Sequence, residues 1–338
     1  MNKRYEWLAS IRGMACILVV ISHLIGGGIR NSGLGNAITD FFGIFIYQIF
    51  DFGKIGVCIF FLISGYLLPM SMKNKSTKEF VINRFVRLYP TYWFSILLGA
   101  LFLGTATSAL QVLVNATMFQ TYVGVNNIVT AHWTLCIELG LYIFCVLFKK
   151  YLYDKKFLCV IQVLGSIVTV LLALLRYITN IKLPVAYLLL LLIALLGYSI
   201  RRYVEKENSR RDLIRDVISF ISVLFVTCVL AYNKDMGWDE TWYRYFLSYS
   251  VAITSFLSFC FMKVDCSFLK YIGNMSYSIY LTHTIVITFM FNNVFGSSMS
   301  TWLILLISIV LIYGIAWLTY KVIEIPGTLF FKKILEGK

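Results

Sequence analysis

The chain has 338 residues, 59% of them hydrophobic and only 14% charged, with a mean hydropathy of +0.80. Soluble domains carry about 25% charged residues, so this composition excludes a soluble globular protein and leaves an all-α integral membrane protein. The net charge of +14 argues for no nucleic-acid partner, because the basic residues lie in short loops where they orient helices and face anionic lipid headgroups or an anionic cofactor.

Apolar stretches of bilayer-spanning length recur along the whole chain, at about 20 residues each. Ten candidate spans result: 8–27, 52–69, 87–104, 132–149, 157–176, 183–200, 214–232, 244–262, 276–294 and 301–320. No stretch remains for a separate soluble domain, so residues 1–338 form a single transmembrane domain of about ten helices. Lys3 and Arg4 precede the first apolar run as in a signal peptide, but no small-residue cleavage site follows, which predicts a retained first helix. An even number of spans puts both termini on one side. With the N-terminus inside, 24 of the 30 lysines and arginines fall in inner segments, and only Arg30, Lys54, Arg176, Lys182, Lys234 and Arg244 fall outside. The positive-inside rule therefore predicts that both termini are cytoplasmic.

The first span sets Arg12 at its inner rim and His23 in its outer half. Eleven helical steps of about 100° bring the two side chains to within roughly 20° of one another, about 16 Å apart along the axis. An ionisable side chain inside a span is a functional candidate, since lipid makes it costly. The alternative is a histidine satisfied by a neighbouring helix and an arginine that snorkels to the headgroups. Two outer loops stand out. Residues 28–51 are glycine-rich and then apolar-aromatic, and residues 105–131 carry no charge. The second is either a surface connector or a loop that dips back and lines a cavity.

The second span, with Gly53, Gly56, Ser64 and Gly65, suits close helix packing. Arg84 and Arg87 lie three residues apart on one helix face, either as a forked phosphate clamp or as topology signals. Pro90 suits the first turn of the third span, and Tyr92 and Trp93 an aromatic belt. The fourth span opens His132-Trp133-Thr134-Leu135-Cys136-Ile137-Glu138. Glu138 lies about 9 Å below the outer rim and His23 about 7 Å, by the helical rise. At matched depth, the carboxylate is placed to fix the imidazole tautomer and stabilise its protonated form. The charged linker 201–216 predicts a solvated helix or loop. The ninth span begins Ser276-Tyr277-Ser278-Ile279-Tyr280-Leu281-Thr282-His283, where His283 either lines the same cavity or packs in the core. The eight cysteines form no Cys-x-x-Cys pair, which argues against a disulfide framework or a metal site.

Six of these patterns together resemble the acyltransferase 3 family of multi-spanning membrane proteins. They are Arg12 with His23, Phe-Phe-x-x-Ser-Gly-Tyr (60–66), Arg-x-x-Arg (84–87), Trp-Thr-Leu-x-x-Glu (133–138), Ser-Tyr-Ser-Ile-Tyr-Leu-x-His (276–283) and Ile-Glu-x-Pro (323–326). The resemblance implies a bacterial inner-membrane O-acyltransferase. Its donor would be cytoplasmic acyl-CoA, acetyl-CoA above all, used as co-substrate with no metal. Its acceptor would be a hydroxyl of a cell-surface glycan or a lipid-linked precursor. It further implies His23 as the catalytic base, and Arg12, Arg84, Arg87 and Glu138 as site residues. Ser64, Trp133, Thr134, Tyr277 and His283 are further candidates from the same motifs. Thr134 stands where serine is commoner and keeps the hydroxyl. The resemblance covers no appended extracytoplasmic domain of the kind larger members carry, so a second transfer step is expected to need a partner. The rival reading is a transporter or exporter of polysaccharide or small molecules with a polar intramembrane cavity. No oligomeric state follows from the residues.

Overall fold

The computed structural model describes residues 5–73, 75–237, 240–296 and 299–336. Lys3, Arg4 and Lys338, which entered the charge count, lie outside them. The described residues are helical and connecting segments, with no strand among them. In chain order the helices are α1 (Glu6–Ser32), α2 (Ala37–Ile49), α3 (Phe52–Met72), α4 (Thr77–Phe102) and α5 (Ala109–Ala116). Then come α6 (Thr130–Leu147), α7 (Lys155–Thr179), α8 (Val185–Val204), α9 (Arg210–Ala231) and α10 (Trp242–Met262). The last are α11 (Ser267–Asn274), α12 (Ser276–Asn293) and α13 (Thr301–Phe331). Among the described residues nine are long and apolar enough to cross a membrane. The ninth candidate span, 276–294, forms α12, an 18-residue helix outside those nine. Its serines, threonines, tyrosines and histidine make it too polar for the same criterion, and most of it is buried among the other helices.

Local chemistry sets the helix ends. Asp51 caps α3 by accepting from the Lys54 amide at 3.0 Å. Ser76 and Glu79 form a reciprocal capping box at the start of α4, as Ser209 and Asp212 do for α9. The box at Ser76 starts α4 ten residues before the predicted span at 87, so Pro90 lies inside the helix rather than in its first turn. Helix α1 runs past its predicted end at 27 and includes a π-helical segment, Ser22–Ile29, that opens one residue before His23.

Three helix pairs approach at backbone distance, and in one of them a Cβ on Gly56 of α3 would lie 2.5 Å from the Ala15 carbonyl oxygen of α1. A Cβ on Gly13 of α1 would lie 2.0 Å from the Leu269 carbonyl oxygen of α11. A Cβ on Gly65 of α3 would lie 1.7 Å from the Ala194 oxygen of α8, and one on Gly197 of α8 would lie 2.2 Å from the Leu62 oxygen. Small residues thus let α1, α3 and α8 form the centre of the bundle. The core of Trp7, Ile11, Ile59, Leu62, Tyr66 and Ile193 sits there.

Ion pairs mark the two ends of the bundle. At the basic end Lys270 Nζ lies 2.9 Å from Glu6 and 2.6 Å from Asp265. At the opposite end Arg244 lies 3.1 Å from Asp51, and Arg176 pairs with Glu240. The linker predicted to be solvated is partly buried. Arg201 and Arg202 are each 6% exposed. Arg201 pairs with Glu205 at 2.9 Å and donates to the Tyr5 hydroxyl at 2.8 Å, and Arg202 reaches Glu207 at 3.5 Å. Carboxylates four and five residues further on offset the desolvation of these arginines, so the charged run folds onto itself.

The uncharged loop 105–131 turns back into the protein. Asn115, Gln120 and His132 are fully buried, and the Asn115 amide bonds Asn126 and Ile128 across the loop. Tyr92 of α4 donates to the Asn115 carbonyl at 2.8 Å. Polar side chains inside the loop supply the partners that lipid withholds from irregular backbone.

Candidate active site

Between α1, α3, α4, α6 and α12 lies a cavity of about 120 Å³. Each helix contributes a polar side chain from an otherwise apolar stretch: Arg12, Ser64, Arg84 with Arg87, Thr134 with Glu138, and Tyr277 with Tyr280. Arg84 and Arg87 share a face because three residues make nearly one turn. Arg84 is anchored. It donates to Ser71 Oγ at 2.8 Å and lies over the rings of Phe80 and Tyr142 at 5.3 and 5.5 Å. Arg12 and Arg87 have no hydrogen bond or ion pair among the described residues, and Arg87 is exposed. Glu138 accepts from Ser64 Oγ at 3.3 Å and from the Tyr142 hydroxyl. A second carboxylate, Glu324, is near enough for its field to reach Arg12 and Arg87, and it accepts from Ser278 Oγ at 2.5 Å. Three guanidinium groups against two carboxylates leave the site positive. Such a pocket suits phosphate or another anion, which two arginines can grip through several donors at once.

His23 does not line this cavity. It is half-buried, with Nδ1 3.0 Å from the Val19 carbonyl oxygen and 3.3 Å from His283 Nε2. The two imidazole rings meet edge to face at 5.0 Å. His283 is fully buried, and its own Nδ1 lies 3.0 Å from the Ile279 carbonyl oxygen. Tyr280 links the cavity to this pair. Its ring lies on the cavity wall and 5.7 Å from the His283 ring, and its hydroxyl bonds Thr134 at 2.6 Å and the Ala131 carbonyl at 3.1 Å. Phe60 packs against Tyr280 at 5.9 Å, beside Val19.

Seven of the predicted site residues therefore share one cavity: Arg12, Ser64, Arg84, Arg87, Thr134, Glu138 and Tyr277. His23 and His283 form a pair behind Tyr280. Trp133 stands apart, stacked on Tyr187 at 6.1 Å. Tyr277 lies on the wall and donates its hydroxyl to the Leu88 carbonyl at 2.9 Å. The expected contact between Glu138 and His23 is not formed. The carboxylate whose field reaches His23 is Asp51, beside Lys54 at the far end of α3, whereas Glu138 sits against Ser64 deep in that helix. The cause is loop 105–131. It carries the start of α6 inward, so that His132 rests 4.7 Å from the ring of Tyr92 and 3.1 Å from Ser95 Oγ. Those residues lie seven to ten positions before the end of α4, roughly 10–15 Å along the axis. Counting depth from the apolar rim of span four therefore placed Glu138 too shallow.

Three site residues escaped the sequence reading. Tyr142 is four residues after Glu138, on the same face one turn on, and that spacing was the available signal. Tyr280 and Glu324 lay inside the quoted patterns 276–283 and 323–326 without a role.

A family model described as an acyltransferase domain, Acyl_transf_3, matches residues 5–321. The chain belongs to the acyltransferase 3 family. This membrane acyltransferase matches no curated protein and no solved structure. The family match covers both the arginine cavity and the histidine pair, so both belong to the acyltransferase domain itself.

Proposed function

We propose that the acyltransferase moves an acyl group, acetyl foremost, from cytoplasmic acyl-CoA to a hydroxyl of a cell-surface glycan or its lipid-linked precursor. It would do so in a bacterial inner membrane with both termini in the cytoplasm. The observation that carries this reading is the pair of guanidiniums, Arg12 and Arg87, that have no hydrogen bond or ion pair among the described residues and lie on a positive intramembrane cavity. The positive-inside rule assigns the arginine end to the cytoplasm, where acyl-CoA is made. Arg12 and Arg87 then hold the donor phosphates, with Arg84 fixed beside them by Ser71 and two rings. The flexible thioester arm extends past Phe60 and Tyr280 toward His23 in the far half of the membrane. His23 takes the proton from the acceptor hydroxyl as that oxygen attacks the thioester carbon. Glu138, held by Ser64 and Tyr142, balances the arginine charge rather than serving the histidine.

Membranes containing the protein are to be incubated with labelled acetyl-CoA, following label into surface glycan and free CoA released per acceptor. Transfer with matched CoA release is expected, as is its loss in His23→Ala. Acceptor movement with no CoA release would instead make the protein a transporter. Full transfer by His23→Ala would remove the histidine from the reaction.

A further inference from the structure

We propose that His283 is the positioning residue that makes His23 a base, the task a carboxylate performs in a catalytic triad. This inference rests on the acyl-transfer reading for its chemistry, and its geometry stands apart from that reading. A carbonyl oxygen can only accept, so a ring nitrogen bonded to one must carry the hydrogen. His23 Nδ1 faces the Val19 oxygen at 3.0 Å, and His283 Nδ1 faces the Ile279 oxygen at 3.0 Å. Each contact joins a residue to the carbonyl four positions earlier in its own helix, so both rings hold their proton on Nδ1. In a neutral imidazole the other nitrogen then bears the lone pair.

Two consequences follow. His283 Nε2 is an acceptor and lies 3.3 Å from His23 Nδ1, so the Nδ1–H of His23 is shared between the Val19 oxygen and His283. His23 Nε2 is left with its lone pair free, and no hydrogen bond in the described structure occupies it. That is the tautomer a general base needs, since the bond made by one ring nitrogen fixes the state of the other. Glu138 is engaged by Ser64 and Tyr142 and does not compete for this place.

During transfer the acceptor oxygen bonds the thioester carbon while its proton passes to His23 Nε2. The carbon–sulfur bond breaks, CoA leaves as the thiolate, and Nε2 returns the proton to sulfur. While His23 holds two protons its Nδ1–H is a stronger donor, and the lone pair of His283 Nε2 spreads that charge onto a second ring. The π-helical segment beginning at Ser22 and the T-shaped ring contact hold the two side chains in register. A neutral partner suits this place, because no carboxylate has to be kept ionised in a fully buried pocket.

The test compares replacements of His283 by their reach. The side-chain oxygen of Gln can occupy the Nε2 position and accept from His23, whereas Asn ends near the Nδ1 position and Leu accepts nothing. His283→Leu should lower kcat on the order of a hundredfold, a typical general-base effect, with the KM for acetyl-CoA within about twofold. His283→Gln should recover most of that loss, and His283→Asn, polar but short, should not. If His283→Leu does not accumulate, the contrast between Gln and Asn carries the measurement. Parental kcat in His283→Leu, or Gln no better than Asn, would overturn the proposal. A second readout is free of activity: ring nitrogen-15 spectra of the parent, whose only histidines are His23, His132 and His283. They should show both His23 and His283 protonated at Nδ1, and Glu138→Gln should leave the His23 signals in place. A His23 ring protonated at Nε2 would refute the geometry even if the enzyme transfers acetyl. Correct tautomers in a protein that transfers nothing would refute the acyl-transfer reading and leave the geometry standing.

Discussion

A guanidinium inside a membrane protein is costly unless something accepts its charge. Arg84 meets that demand by direct contact, through Ser71 and two aromatic faces, while Arg12 and Arg87 make no hydrogen bond or ion pair among the described residues and have carboxylates only at longer range. The difference predicts different variants. Arg87→Ala should raise the KM for acyl-CoA roughly 10–100-fold, as for a lost hydrogen bond to a charged group, and leave thermal stability near the parent. Arg84→Ala should lower thermal stability as well, because it removes a donor from Ser71 and uncovers the rings of Phe80 and Tyr142. Donor titration and melting in detergent separate the two. Arg84 and Arg87 were visible as a pair at one-turn spacing, but the sequence held nothing to say which one was already occupied. The same holds for Glu138. Its residue type and motif marked it, yet its partner depended on where a loop placed the start of its helix.

At the scale of helices, apolar length and capping chemistry were enough to place most elements. The exceptions have local causes. The capping box at Ser76 pulls α4 ten residues earlier than its apolar stretch begins, and Asn115 with Gln120 satisfies a loop that would otherwise stay at the surface. Helix α12 is too polar to stand in lipid alone. Surrounding helices supply its environment and its serines bond inward, including Ser278 to Glu324 and Ser276 to the Gly273 carbonyl. Close contact between α3 and α8 is the most fragile feature at this scale. A single methyl at Gly65 meets a backbone oxygen rather than a movable side chain. Gly65→Ala should therefore force the helices apart at a cost of about 1–3 kcal/mol or more. The measurement is a lowered melting temperature in detergent, and an unchanged one would show that the pair can separate freely.

Across the whole molecule, charge is sorted by end. Clustered basic residues and short ion pairs lie at one end, and fewer but more deeply buried pairs lie at the other. Arg176 and Glu240 are only 4% and 7% exposed, and together they tie α7 to the segment before α10. Arg176→Met should cost roughly 3–5 kcal/mol by leaving Glu240 buried and unpaired. Adding Glu240→Leu should restore much of that loss, since replacing both charges removes the penalty. Melting of the two single variants and the double variant gives the comparison, and additive losses would show that the pair is not coupled.

The chain's own composition decided its class, because 59% hydrophobic residues in bilayer-length runs leave no soluble alternative. Ordered motifs decided the family, since six weak patterns in sequence order reinforce one another. Tertiary structure alone decided which side chains meet. Depth along a helix can be counted from residue number, but rotation about the axis and the level at which a helix begins depend on packing and on loops. For that reason Arg12 and His23, on one face of one helix, serve different places: Arg12 faces the arginine-lined cavity, and His23 faces a second histidine 260 positions further along the chain.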